Sequence, residues 1–282
     1  MLPRVLTIAG SDCSGGAGLQ ADLKTFTVFG VYGMSAVTAL TVQNTRGVHE
    51  VLPIAPEFVA AQIEAVANDI GIDAAKTGML ANGAIVAAVA QTVRAHRIAP
   101  LVVDPVMAAQ SGGRLLREEA ATVLREQLVP LAALVTPNIP EAEALLDTRI
   151  ASVADMQAAA RALVDAGAAA ALVKGGHLRG SEAVDVLYDG RDMLELRAPR
   201  LSTPHTHGTG CITAAAIAAC LARGMPLRSA VEEAKRFVTA AIEHGLPLGG
   251  GSGPANPLAG FADRGHPRHA DSKPAPPRRR AK

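Results

Sequence analysis

The stretch Val5-Leu6-Thr7-Ile8-Ala9-Gly10-Ser11-Asp12-Cys13-Ser14-Gly15-Gly16-Ala17-Gly18, running into Leu19–Phe29, decides the fold class. Val5–Ala9 is apolar and rich in β-branched residues, so it reads as a strand; a glycine-rich loop then feeds a segment with helical spacing. Outward from it the same alternation recurs. Strands are expected at Ala36–Val42, Val48–Ile54, Ala74–Lys76, Leu101–Val103, Ala133–Thr136 and Ala171–Lys174, with amphipathic helices at Pro56–Asn68, Ala84–His96, Glu118–Leu128 and Val153–Ala166. Strand–helix–strand alternation predicts an α/β fold: a mostly parallel central sheet with helices on both faces, in three layers. Near Ala183–Ala198 the pattern changes to two short strands about Asp189-Gly190, a hairpin signal.

The 282 residues suit one large domain, placed at 1–260, followed by a basic, Pro-rich tail at 261–282 that reads as disordered. A hydrophobic fraction of 49% with 19% charged residues excludes a disordered chain. Aromatics at 2%, with no Trp, exclude a stacking platform for single-stranded nucleic acid. The net charge of +1 hides an asymmetry: outside the tail lie 20 of the 27 basic and 24 of the 26 acidic residues. That body is not a nucleic-acid binder by charge. Its N-terminus lacks signal-peptide architecture, and no apolar run approaches the ~20 residues that span a bilayer. A reduced cytoplasm is therefore expected, which suits three cysteines (Cys13, Cys211, Cys220) with no metal-ligand spacing.

Chemistry concentrates at strand ends, where open α/β sheets bind ligands. In His207-Gly208-Thr209-Gly210-Cys211, two glycines precede a run of helix formers, Ile212–Ala219, and a helix N-terminus behind a glycine turn is an anion site. Cys211 falls in its first turn, where the helix field can depress a thiol pKa; Cys220 falls on the opposite face and reads as packing. The loop Gly10–Gly18 matches neither the Walker pattern nor the dinucleotide fingerprint. Asp22, in the first turn of the following helix, is placed to accept a ligand hydroxyl. Val103-Asp104-Pro105 offers a carboxylate suited to Mg²⁺. Asn138 and Glu141 are spaced both as a helix-capping pair and as polar groups for metal and phosphate, and one pair can serve both ends. Lys174-Gly175-Gly176 supplies a phosphate-binding charge with room for close approach, and His177 reads as structural.

In this order the motifs resemble the ribokinase-like superfamily, and within it the hydroxymethylpyrimidine/phosphomethylpyrimidine kinase family of thiamine biosynthesis. The resemblance covers residues 4–245 and rests on Ala9–Asp12 through Asp22–Thr25, Gln43–Gly47, Lys76–Leu80, Asp104–Met107 and His207–Cys211. It implies ATP- and Mg²⁺-dependent phosphorylation of 4-amino-5-hydroxymethyl-2-methylpyrimidine, then of its monophosphate, by a homodimer. It leaves a monovalent-cation requirement open. Carried onto this chain, Gln43 and the backbone of Val42 would meet the pyrimidine edge. Met79 and Val106 would flank the ring, and Asp22 would lie near the hydroxymethyl arm. Lys174 and Thr209 would meet phosphate, Asn138, Glu141 and Asp104 would organise Mg²⁺, and Gly208 and Gly210 would form the anion hole. Sugar kinases of the superfamily carry a catalytic Asp where this chain has Cys211; a thiolate there would suffice to accept the proton, and two readings of Cys211, a base and a tolerant neighbour, stay open. Gln110-Ser111-Gly112-Gly113 departs from the family pattern at an expected flap, and Gly249–Pro254 resembles the family's glycine-rich ending only loosely. The rivals are a pyridoxal/pyridoxine kinase, a non-catalytic pyrimidine sensor and, on the tail alone, an RNA-associated protein.

Overall fold

The first strand, β1 (Arg4–Asp12), is buried continuously from Val5 to Gly10 in a computed structural model that describes residues 2–107 and 118–259. Burial on both faces is what an unbroken apolar run demands of a central parallel strand. The other strands are β2 (Tyr32–Asn44), β3 (Gly47–Pro53), β4 (Ala74–Thr77), β5 (Leu101–Val103), β6 (Leu134–Val135), β7 (Ala171–Val173), β8 (Glu182–Tyr188) and β9 (Met193–Pro199). They form one nine-stranded sheet in the order β3-β2-β1-β4-β5-β6-β7-β8-β9. From β2 to β7 all neighbours run parallel, while β3, β8 and β9 are joined antiparallel at the two edges.

Helices α1 (Gly18–Val28), α2 (Pro56–Asp69), α3 (Gly83–Ala95), α4 (Glu118–Val123, continued by a π-helical turn to Leu128), α5 (Ile139–Leu146), α6 (Val153–Asp165), α7 (Thr209–Ala222) and α8 (Leu227–Glu243) cover the sheet. Alternation along the strands sorts the core into two halves. Leu6, Ile8 and Val103 face Ile63, Val89, Leu124 and Leu163 of α2 to α6. Val5 and Val102 face Phe26, Ile217 and Phe237 of α1, α7 and α8. The expected three-layer α/β architecture is the one observed.

The differences are local. β2 begins at Tyr32 rather than Ala36 because Tyr32–Ser35 pairs with Arg4–Thr7, a partnership invisible in a single segment. Helix α8 was not anticipated. Its buried positions Ala230, Val231, Ala234, Phe237, Val238 and Ala241 keep helical spacing opposite the charged Arg228, Glu232, Glu233 and Arg236, an amphipathic pattern that was passed over. The Asp189-Gly190 hairpin is present, with Gly190 at φ 87° and Asp189 Oδ1 accepting from the backbone N–H groups of Arg191 and Asp192. The Gln110–Gly113 departure and the 261–282 tail lie outside the described residues. Because β1 and β4 to β7 run parallel, the residues that follow them emerge along one edge of the sheet.

Candidate active site

At that edge Asp104 leaves β5 with its backbone N–H bonded to Thr77 O at 3.0 Å and its carboxylate buried. Lys174, leaving β7, donates Nζ to Asp104 Oδ1 at 2.9 Å, and Thr136 at the end of β6 donates its hydroxyl to the same oxygen at 3.2 Å. Three successive parallel strands thus deliver one ion pair. The turn after Lys174 is held from outside: Gly175 donates its N–H to Asp185 Oδ1 at 2.9 Å, and Lys235 of α8 donates to Asp185 Oδ2 at 2.8 Å. Lys235 was not among the expected residues because the helix carrying it was missed.

Helix α7 points its N-terminus at this pair. Gly208, its N-cap, has φ 85°, and a Cβ there would lie 1.9 Å from Gly16 O, so only glycine fits. A Cβ on Gly210 would lie 3.3 Å from Lys174 Nζ and 3.8 Å from Asp104 Oδ2, which sets the first turn beside the ion pair. The first N–H groups of a helix have no intrahelical acceptor. Thr209 N–H reaches Thr206 O at 3.3 Å, so those of Gly210 and Cys211 are left to an anion.

The start of α5 faces the same space. Asn138 Oδ1 accepts from Glu141 N–H at 2.9 Å, and Glu141 Oε2 accepts from Asn138 N–H at 2.8 Å: the capping box is complete. Burial raises the Glu141 pKa; Lys174 lowers it in part and Asp104 raises it again, leaving it near about 7. Among the described residues no group of three His, Cys, Asp or Glu side chains gathers as a metal cluster. Two carboxylates converging beside an anion site nonetheless fit Mg²⁺, which takes one or two carboxylates with water and phosphate oxygens.

These parts line one cavity of about 1110 Å³. Gln43, Met79, Val106, Asp104, Asn138, Glu141, Lys174, Gly208, Thr209, Gly210 and Cys211 all reach its wall. Val42 does not: its side chain is 54% exposed and turned away, leaving only its backbone near Gln43. Asp22 requires a correction. It is fully buried and outside the cavity lining, its carboxylate taken by Thr7 Oγ1 at 2.6 Å and Lys76 Nζ at 2.9 Å, so it does not face the cavity. Lys76, also fully buried, is the partner that sequence reasoning passed over. Burial favours the neutral amine, but the Asp22 carboxylate, with a smaller contribution from Asp104, outweighs it and keeps the ammonium charged.

Cys211 requires a second correction. Burial pushes its thiol up to about 11; Lys76 pulls it down, while Asp22 and Asp104 push it further up. Part of the residue stays open to the cavity, where water moderates the size of the shift without reversing it. The helix N-terminus therefore does not leave a thiolate at neutral pH. Cys220 is buried in the core as expected.

Just before the turn that opens α7, His207 Nε2 stands 2.9 Å from Asp12 Oδ2 and 3.3 Å from the Gln43 amide. Burial would raise the Asp12 pKa, but hydrogen bonds from His207 and Ser14 prevail and hold it at about 2. No helix among the described residues is long and apolar enough to cross a membrane.

Residues 12–256 match the family model for phosphomethylpyrimidine kinase. The hydroxymethylpyrimidine/phosphomethylpyrimidine kinase of Haemophilus influenzae is 50% identical over 258 residues, covering 90% of this chain and 96% of that one. The thiamine biosynthesis bifunctional protein ThiED of Geobacter sulfurreducens is 51% identical across 92% of this chain, which spans 53% of that longer protein. Among solved structures, the ADP complex of Bacillus subtilis pyridoxal kinase superposes with a TM-score of 0.86 at 42% identity, covering 92% of this chain and 98% of that one. The family model begins at Asp12 and ends just past Ala255, so it takes in Gln43, Asp104, Glu141, Lys174 and the turn from Gly208 to Cys211; this chain belongs to the phosphomethylpyrimidine kinase family.

Proposed function

We propose that this chain transfers the γ-phosphoryl group of ATP to the hydroxymethyl oxygen of 4-amino-5-hydroxymethyl-2-methylpyrimidine, and then phosphorylates the monophosphate to the diphosphate. The observation that carries this reading is the placement of the Lys174–Asp104 pair against the first turn of α7, across one cavity from Gln43. Charge, free N–H groups, the hydrogen-bonding amide of Gln43 and the side chains of Met79 and Val106 line the same space, so a phosphate and a polar flat ring are served together.

The alcohol oxygen forms a bond to γ-phosphorus while the bridging oxygen leaves with ADP. Lys174 and the N–H groups of Gly210 and Cys211 neutralise charge on the transferring group; Gly208 and Thr209 shape the turn that presents them. Such electrostatic positioning supplies most of the catalysis in phosphoryl transfer. Asp104 and Glu141 would hold Mg²⁺, with Asn138 orienting Glu141; the ion would supply a counter-charge to the phosphates. A loose transition state needs little early loss of the hydroxyl proton. The neutral thiol of Cys211 then serves as hydrogen-bond partner to the alcohol, and the proton departs to phosphate oxygen as the ester forms. A homodimer belongs to this reading, supported by the exposed, paired Leu40 and Leu52 on β2 and β3.

A pyridoxal kinase is the second reading, because the Bacillus subtilis relative with that name shares the fold at a TM-score of 0.86. Purified protein with Mg²⁺-ATP is offered the hydroxymethylpyrimidine, its monophosphate and pyridoxine separately, with products resolved by mass. Diphosphate from the monophosphate supports the proposal; product from pyridoxine alone overturns it.

A further inference from the structure

His207 is held more tightly than a loop residue before a helix needs to be. Its backbone N–H donates to Gly253 O at 3.1 Å and its carbonyl accepts from Ala255 N–H at 3.0 Å. Its ring covers Gly16 so closely that a Cβ there would come within 2.5 Å of Cδ2. The Asp12 carboxylate it meets also accepts Ala17 N–H at 2.8 Å, and Ser14 N–H and Oγ at 2.9 and 2.7 Å. An ionised carboxylate only accepts, so the His207 nitrogen facing it must carry a proton, whether the ring is neutral or charged.

That proton decides the orientation of Gln43. With its NH₂ toward His207, at 3.3 Å, the amide sets donor against donor. At its other end the amide oxygen would sit 3.1 Å from Thr41 Oγ1, whose one hydrogen already goes to Ser11 O at 2.8 Å. Turning the amide removes both conflicts, and amide ends are assigned by their partners. Gln43 Oε1 then shares the single His207 Nε2 hydrogen with Asp12 Oδ2, Gln43 NH₂ donates to Thr41, and Thr41 donates to Ser11.

We propose that His207 is a positioning residue that fixes the polarity of the Gln43 amide, so that its remaining N–H and its remaining carbonyl lone pair face the cavity in one set order. This rests on the reading of Gln43 as the group that meets a ring. An amide so fixed matches a ring nitrogen beside an exocyclic amine in one register. A ring without that amine leaves the carbonyl lone pair unmatched.

Two measurements test it, and the first needs no substrate. In ¹⁵N-histidine spectra of the free protein, His207 Nε2 should be protonated and the Gln43 NH₂ resonances should shift in His207→Phe. A bare Nε2, or unmoved Gln43 resonances, overturns the proposal. In kinetics, His207→Phe should raise KM for the hydroxymethylpyrimidine roughly tenfold, the size of one lost hydrogen bond to a polar group. The change in kcat and in KM for ATP should be far smaller. His207→Gln, which can donate to both Asp12 and Gln43, should recover most of the loss, and in a Gln43→Ala background His207→Phe should add nothing. Equal rises in both KM values, or a full further loss beside Gln43→Ala, overturns it. If His207→Phe does not fold, the nitrogen spectra and His207→Gln decide. If the unaltered protein turns over no pyrimidine alcohol, the proposed function fails while the spectra still judge His207.

Discussion

Cys211 and Lys76 show how burial reassigns a residue that local sequence describes only in part. A thiol at a helix N-terminus reads as acidic, yet removal from water dominates and holds the proton on sulfur toward about 11. If the neutral thiol suffices, kcat is flat from pH 7 to 9, and Cys211→Ser keeps activity within about tenfold. A general base would instead lose on the order of 10²–10⁴. The sign for stability follows. The folded state binds this proton more tightly than the unfolded chain, so the contribution is present below the ordinary value of 9.0 and is lost as pH rises toward about 11. Thermal melts between those limits should therefore fall more steeply for the unaltered protein than for Cys211→Ser. Asp22 and Lys76 make the companion case. Lys76→Met strands a buried carboxylate and should cost about 3–5 kcal/mol in denaturant unfolding. Asp22→Asn should likewise lower stability more than it alters KM. A large KM change with an unmoved midpoint would restore Asp22 to the ligand.

Among the elements, α5 and α7 put their first turns to different use. Helix α7 leaves N–H groups open and α5 closes its own with the Asn138–Glu141 box, whose acid also faces Asp104 and Lys174. The two uses of Glu141 can be separated. Glu141→Gln keeps an acceptor for the Asn138 N–H, so the helix start survives; losing such a cap would cost about 1 kcal/mol. The Mg²⁺ concentration for half-maximal rate, titrated at fixed ATP, should rise several-fold while the melting temperature barely moves. Elements of this kind were legible in sequence because each motif is contiguous: Asp104-Pro105, Lys174-Gly175-Gly176 and Gly208-Thr209-Gly210 carry their own strand ends and turns. Helix α8 was legible too, since Val231, Phe237 and Val238 recur at helical spacing opposite a charged face, but it carries no contiguous motif and was passed over.

At the scale of the whole molecule, the fold class was readable because alternation of apolar runs and amphipathic stretches is a property of segments. The pairings that finish the site were not. Lys76 and Asp22 are 54 positions apart and His207 and Asp12 are 195 apart, and no local pattern announces either bond. The family match ends at residue 256, so removing residues 261–282 should leave melting temperature and kcat unchanged, as calorimetry and the kinase assay would show. The stretch just before that limit behaves otherwise. Gly253 and Ala255 grip the backbone of His207, while Ser252 N–H reaches Thr45 O at 2.9 Å in the β2–β3 turn. During synthesis all nine strands are complete by Pro199, some fifty residues before this clasp exists. A chain truncated in that interval would carry the residues of every strand but neither of those that grip the backbone of His207, the residue proposed to orient Gln43. On the proposed role of His207, the part that would set Gln43 toward a ring is thus made last, a lock turned by residues just before the end of the family match.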